Sequence, residues 1–105
     1  MESSVSDQDI QKIIRPDEAV IYTSDCQKIS RFQMAQKRSL IMTNLRLYLA
    51  KKTETRFEVP INDLSYIIKS QQGTEFILAF SKEKDLRLRL EDRESFLDLL
   101  KGQYH

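Results

Sequence analysis

Basic side chains, which bind anions, are concentrated in one segment of this 105-residue chain. Residues 28–56 contain eight bases and one acid, Glu54, for a local charge of +7. The flanking segments are acidic: residues 1–27 contain two bases and six acids, and residues 57–105 contain seven bases and nine acids. The net charge of +1 therefore hides a one-sided electric field, which attracts phosphoinositides, acidic lipid surfaces, nucleic acid or acidic peptides.

Four of these bases flank one short connection between two predicted strands, and their chemistry suits phosphate. Lysine offers a compact point charge, and arginine offers a planar fork that binds a phosphate through two hydrogen bonds. Because the two arms of a hairpin lie side by side, at least two of these cations should share one end of the sheet. The predicted ligand-binding residues are Lys28, Arg31, Lys37 and Arg38 at this connection, with Tyr48, Lys51 and Lys52 from the next hairpin.

The predicted role of Arg38 has an alternative. Arg38 has the strand parity of Leu40 and Met42, which places it at the mouth of the core face. There it contacts a ligand, extends to solvent, or pairs with an acid such as Asp25 or Glu54.

Neighbouring residues leave similar alternatives open. Tyr48 projects opposite to Leu47 and Leu49, so we expect it to face outward, where it bonds a phosphate or covers the sheet. Phe32 and Met34 lie near the tip of the basic connection, and they either enter a bilayer or pack at the rim of the sheet.

Other basic residues have a structural explanation. Lys51 and Lys52 occupy a predicted turn, where lysines are also common for solubility and edge protection. Arg87 and Arg89 form a second outward pair, but three acids lie close to them in sequence, so we expect a neutral, paired surface there.

Composition excludes several classes of function. The length fits one domain with one core, and the apolar runs are far shorter than the roughly 20 residues that span a bilayer. No secretory signal is visible and Cys26 has no disulfide partner, so a cytoplasmic protein is expected. One cysteine and one histidine, His105, do not form a metal site. No enzyme motif is present, so neither catalysis nor a cofactor is predicted. Nucleic acid is not a predicted partner, because exposed aromatics do not alternate with the bases.

Both ends of the chain carry helix signals. A Ser-x-x-Asp capping box at Ser6 precedes isoleucines at helical spacing, and Pro16 stops the run; we expect this apolar face to pack on the domain rather than on a membrane. Near the C-terminus, Asp92 is the expected N-cap of a helix that carries Phe96 and ends at Gly102. The apolar stripe of this helix needs a core to cover it.

Between these helices, eight short apolar or alternating segments are typical of strands. They are residues 20–23, 28–32, 40–43, 45–49, 57–61, 66–68, 76–80 and 86–90. The predicted fold is mainly β with a C-terminal α-helix: about seven antiparallel strands form a bent sheet or partly open barrel, capped by that helix. This is the layout of the pleckstrin-homology (PH) superfold. We predict a short helical extension over residues 1–16 and a PH-like domain over residues 17–105.

Several short strings resemble a known family. Lys28-Ile29, then Arg38-x-Leu40-x-Met42-Thr43, then Leu47-Tyr48 are similar to the tail-homology (TH1) domain of class I myosins and to related PH-like modules found beside protein kinase domains. The resemblance extends over roughly residues 17–104. It implies a PH-like fold and a non-catalytic targeting module that binds phosphoinositide headgroups peripherally at membranes.

The resemblance also implies which residues contact lipid. They are the lysine of the first strand and the arginine of the second, which correspond here to Lys28 and Arg38. The alternative is a protein-interaction or autoinhibitory PH-like domain that does not bind lipid. Such a domain would bind an acidic partner segment or a neighbouring domain with its basic face, or add a strand at an exposed sheet edge.

Overall fold

The computed structural model describes residues 5–104. A short N-terminal helix, α1 (Asp7–Ile13), precedes the sheet, and a longer helix, α2 (Arg93–Gln103), follows it. The strands are β1 (Val20–Ile29), β2 (Ala35–Thr43), β3 (Arg46–Lys51), β4 (Glu54–Pro60), β5 (Leu64–Lys69), β6 (Glu75–Phe80) and β7 (Leu86–Arg89), with one 3₁₀ turn at Ile61–Asp63.

All seven strands form one antiparallel sheet in the order β4-β3-β2-β1-β7-β6-β5. The ring of Phe57 on edge strand β4 lies 5.8 Å from the ring of Phe80 on β6, near the other edge. Contact between strands so far apart in the order requires the sheet to curve strongly around its contents. The predicted fold class, a PH-like antiparallel sheet with a C-terminal helix and a short N-terminal helix, is confirmed. The domain boundary at residue 16 stays a prediction.

Two local predictions are wrong. Residues 28–32 do not form a separate strand, because β1 pairs with β2 from Tyr22 to Ile29 and its polar middle is held by that backbone ladder. Gly102 does not end α2, which continues to Gln103 with Tyr104 as its C-cap. Asp92 does occupy the N-cap position, although its side chain makes no capping bond.

The inner face of the sheet holds the main core. Eight residues predicted for the core are 0 or 1% exposed and belong to this one cluster: Leu40, Met42, Leu47, Leu49, Phe76, Leu78, Leu88 and Phe96. The alternating pattern also placed Leu45 on the core face, and this is wrong: Leu45 is 45% exposed, because it lies in the turn before β3. Helix α2 covers the open side of the core. The ring of Phe96 lies 5.4 Å from that of Tyr22 and 5.9 Å from that of Phe76.

The outer face of β2 and β3 is also buried. Helix α1 begins at the predicted cap, where the Ser6 hydroxyl accepts a hydrogen bond from the Asp9 amide at 3.2 Å. Its buried Ile10 then packs with Ile41 and Tyr48 in a second cluster, which confirms that the apolar face of α1 packs on the sheet. Tyr48 does project opposite to Leu47 and Leu49, onto this outer face, but the expectation that it is exposed there is wrong: it is 1% exposed, because α1 covers it.

A buried carboxylate fastens the segment after α1 to the sheet. Glu18, whose side chain is 0% exposed, accepts hydrogen bonds from the Tyr48 hydroxyl, from Arg46 Nη1 at 2.8 Å and from the Arg15 amide at 3.2 Å. Arg15 Nη2 in turn donates to Glu58 at 2.8 Å. These contacts join the chain before β1 to strands β3 and β4.

The same contacts shift the pKa values of Glu18 and Tyr48. Burial raises the pKa of the Glu18 carboxyl, but hydrogen bonds from Tyr48, Arg46 and the Arg15 amide lower it by more, so its pKa lies below the ordinary 4.5. Burial, with the Glu18 carboxylate second, raises the pKa of Tyr48 to about 12. The pair therefore consists of a charged carboxylate and a neutral phenol at neutral pH.

Replacing Phe96 by Ala should destabilise the domain sharply. Loss of a fully buried Phe ring costs about 3–5 kcal/mol, which is a large part of an ordinary unfolding free energy of about 5–15 kcal/mol. Thermal melts and urea unfolding measure the effect. Leu99→Ala on the same helix is the matched control, because Leu99 is 40% exposed. Equal losses in the two variants would show that α2 does not complete the core.

Stability should also depend on the ionisation of Glu18. Its folded-state pKa lies below the unfolded value near 4.5, so its charge contributes stability that is fully present above the unfolded value and is lost as the pH falls through the folded one. Glu18→Gln should lower the unfolding free energy at neutral pH by about 1–3 kcal/mol and remove this acid-side loss. Urea unfolding across acid pH tests both effects, with Glu83→Gln as control, because Glu83 is exposed and is in none of the ion pairs found within residues 5–104. Parallel pH profiles for wild type and Glu18→Gln would contradict this role.

Candidate functional site

The turns that follow β1, β3 and β6 lie at one end of the sheet. Strand pairing fixes this arrangement, since Lys28 of β1 lies opposite Leu88 of β7 and Ser39 of β2 lies opposite Ala50 of β3. All the predicted cations lie on or beside the first two of these turns. We call this surface the basic end, and it comprises Lys28, Arg31, Lys37, Arg38, Lys51 and Lys52.

The register places Lys28 and Arg38 on the same face of the sheet. Lys28 lies opposite Gln36, and Arg38 lies opposite Cys26. Directly opposed residues share a face, as do residues two apart on a strand, so the two cations are diagonal neighbours. Both side chains are partly exposed. Their joint contact with one phosphate remains a prediction.

Four cations of the basic end line one cavity of about 480 Å³. Lys37 and Arg38 come from the start of β2, and Lys51 and Lys52 come from the end of β3 and the turn after it. The remaining lining residues are Val5 before α1 and Asp9 within it, with Ser39, Ala50 and Thr53. Sequence analysis missed the contribution of residues 5 and 9, because the packing of α1 on the sheet is a long-range contact with no local signal.

Arginines elsewhere in the described chain are paired with carboxylates. The pairs join Arg15 to Glu58, Arg46 to Glu18 and Glu58, Arg56 to Glu54, Arg87 and Arg89 to Glu75, and Arg93 to Glu94. Within residues 5–104, no ion pair involves a cation of the basic end. The cations of the basic end therefore outnumber the acids beside them, and the Asp9 carboxylate that lines the cavity forms an ion pair with none of them.

Arg38 shows this most clearly. Its Nη1 donates to the Lys37 carbonyl at 2.7 Å, and its Nη2 lies 3.5 Å from Gln36 Oε1. Its Nε is buried and has no hydrogen-bond partner in the described part of the chain. Glu54, one of the acids expected to neutralise Arg38, pairs with Arg56 at 3.7 Å instead.

The turn between β1 and β2 carries the apolar residues of the basic end. Phe32 is 73% exposed and Met34 is 65% exposed, so of the two alternatives for these residues, packing at the rim of the sheet is wrong. The Arg31 guanidinium lies 5.0 Å from the centre of the Phe32 ring.

Two other predicted features lie outside the basic end. Tyr48 is buried beneath α1 with its hydroxyl on Glu18, so it does not line the cavity. Arg87 and Arg89 form the expected paired surface, although their partner is Glu75 on β6, at 2.6 and 3.2 Å, rather than an adjacent acid. Hydrogen bonds from Arg87, the largest cause, lower the pKa of Glu75.

Other chemistry finds little support in residues 5–104. No cluster of three potential metal ligands occurs there. Burial raises the pKa of Cys26 to about 12, which keeps it in the unreactive thiol form. None of the helices in this part of the chain is long and apolar enough to span a bilayer.

A comparison with family models decides the relationship of this chain. The model for the unconventional myosin tail, described as actin- and lipid-binding, matches residues 1–105. The chain belongs to this myosin tail family. No curated protein sequence gives a significant match.

Several solved structures similar to this member of the myosin tail family contain PH domains. The DH/PH domain of human ARHGEF11, in a ternary complex with human RhoA and its inhibitor, has a TM-score of 0.68 at 12% identity over 82% of this chain and 29% of that one. This chain therefore spans less than a third of that structure's chain.

Two further structures match over most of their own length. The Slm1 PH domain in complex with inositol-4-phosphate has a TM-score of 0.66 at 13% identity, over 83% of this chain and 98% of that one. The N-terminal PH domain of human ARAP2 has a TM-score of 0.64 at 17% identity, over 78% and 76%. At such identities the likeness establishes the fold alone.

The unpaired state of Arg38 predicts an unusual response to mutation. Arg38→Met removes a charge with no acidic partner in the described residues, so the unfolding free energy should stay the same or rise by about 0.5–1 kcal/mol. Arg46→Met is the matched control, because it leaves the buried Glu18 without its cation and should cost about 2–3 kcal/mol. Urea unfolding of both variants measures the difference. A similar loss in both would show that Arg38 is held for stability.

Proposed function

We propose that the basic end binds anionic phospholipid headgroups, phosphoinositides among them, and holds the domain peripherally at a cytoplasmic membrane surface. The observation that carries this proposal is that the arginines of the basic end differ from the other arginines in their ion pairing. Arginines elsewhere in residues 5–104 have carboxylate partners, whereas Arg31 and Arg38 have none. A cation without an internal partner is available to an external anion without the cost of breaking an ion pair.

The types and positions of the cations suit a phosphate ligand. Lys28 and Arg38 are diagonal neighbours on one sheet face, and Arg38 shares its cavity with three lysines. The buried Nε of Arg38 lacks a protein acceptor in the described chain, and a phosphate oxygen is a strong one. Each cation near an anionic membrane contributes about 1 kcal/mol, within a screening length of about 8 Å at physiological salt.

The comparisons support the same class of ligand. The myosin tail family is described as actin- and lipid-binding, and the Slm1 PH domain was solved with inositol-4-phosphate. The turns of the sheet, rather than the shared fold, supply the contacts in this proposal, because one fold supports many functions. With the lipid contacts assigned to these turns, the domain acts in this proposal as a non-catalytic module that targets its protein to a membrane.

Reversing two charges tests the proposal. Lys28→Glu with Arg38→Glu should weaken cosedimentation with phosphoinositide-containing vesicles about a thousandfold, since the net change is four charges at about 1 kcal/mol each. Binding of the wild type should fall as salt rises and should be absent on phosphatidylcholine vesicles. The control carries Lys12→Glu and Lys101→Glu, which make the same change in net charge on the two helices.

Each result separates the possibilities. Circular dichroism confirms the fold of the double variant, whose changes leave the core cluster intact. If the control loses as much binding as the double variant, overall charge is responsible and the site is wrong. If the wild type does not bind phosphoinositide vesicles at low salt, the lipid proposal fails, and a domain that binds an acidic protein segment takes its place.

A further inference from the structure

The most exposed large apolar side chains in the described chain lie together. Phe32 is 73% exposed and Met34 is 65% exposed, and a single residue separates them in the turn between β1 and β2. Two such side chains at the tip of a turn are surrounded by water, so they contribute no packing to the fold of the domain. Their position at the basic end suggests a partner with both apolar and anionic parts.

The turn holds these side chains outward through its own hydrogen bonds. The Ser30 hydroxyl accepts from the amides of Phe32 and Met34, each at 3.2 Å, and the Ser30 amide donates to the Met34 carbonyl at 2.9 Å. Gln33 has a left-handed backbone with φ of 64°, and its side chain accepts from Arg87 Nη1 at 3.1 Å. The hydrogen bonds of the turn therefore hold Phe32 and Met34 in their exposed positions.

Charge and apolar surface are arranged in two layers. Phe32 and Met34 form the tip, and the Arg31 guanidinium lies over the Phe32 ring at 5.0 Å. Lys28 and Lys37 lie on the strands below, and neither is among the ion pairs found within residues 5–104. An anionic bilayer has the same two layers, with phosphates above and acyl chains below.

We propose that Phe32 and Met34 enter the acyl boundary of an anionic bilayer while Arg31 and the strand lysines contact the headgroups. This inference rests on the proposed function and adds a second, apolar contribution to binding. A soluble inositol phosphate satisfies only the cations, so it binds without burying the tip. The membrane-bound domain is thereby oriented, with its β1–β2 turn facing the bilayer.

The absence of tryptophan from the chain makes penetration directly measurable. Phe32→Trp and, independently, Met34→Trp each introduce a single reporter at the tip. With vesicles of phosphatidylcholine, phosphatidylserine and phosphatidylinositol bisphosphate, we expect a blue shift of emission and quenching by brominated acyl chains. Leu45→Trp is the control, since Leu45 is 45% exposed but lies in the turn after β2, at the opposite end of the sheet.

Removing the apolar tip gives an independent measure. Phe32→Ser with Met34→Ser should weaken vesicle binding about a hundredfold, at about tenfold for each apolar side chain lost from the bilayer. Binding of soluble inositol trisphosphate should be unchanged, because every cation is retained. Leu45→Ser should leave both kinds of binding at the wild-type level.

The outcomes distinguish this inference from the proposed function. Cosedimentation of the tryptophan variants without blue shift or quenching would overturn insertion and leave headgroup binding intact. Wild-type affinity of the double serine variant for vesicles would overturn insertion as well. Failure of the wild type to cosediment would overturn the proposed function together with this inference, and the exposed tip would then belong to a protein interface.

Discussion

The antiparallel pairing of β1 with β2 is the constraint on which the rest of the molecule depends. The ladder joins residues 20–29 to residues 35–43 and closes with a short turn. Its register puts Lys28 and Arg38 on one face and fixes the direction of the Phe32 and Met34 tip. The opposite face of β2 supplies Ile41 as a platform for α1. A shift of one residue would exchange the two faces and separate every one of these groups.

Charge is distributed unevenly because acids are placed where they neutralise other cations. Glu18, Glu58 and Glu75 each accept from one or more arginines on or beside the sheet. Within the described residues no carboxylate forms an ion pair with a cation of the basic end, so these cations repel one another. Such repulsion lowers stability slightly, and binding sites commonly carry this kind of local cost. The clearest example of this local cost is the Nε of Arg38, which is buried and has no hydrogen-bond partner in the described chain.

The similar PH domains show how widely this architecture tolerates sequence change. Identities of 12–17% accompany TM-scores of 0.64–0.68, so sequences with few identical residues share this fold. The turns are free to differ within the shared fold, because they make few core contacts. One fold supports many functions, so the proposed lipid binding is assigned to the turns at the basic end rather than to the fold.

Sequence alone determined the features that depend on neighbouring residues. Alternation identified most core positions of the strands, helical spacing identified Phe96, the Ser6 cap identified the start of α1, and the run of bases identified the charged hairpin. Tertiary structure alone decided which faces and charges were covered. Tyr48 has the pattern of an outward residue but is buried, because α1 packs on it from outside the sheet. The lack of an acidic partner for Arg38 within residues 5–104 was likewise undecidable from sequence, because ion pairing depends on contacts between residues far apart in the chain.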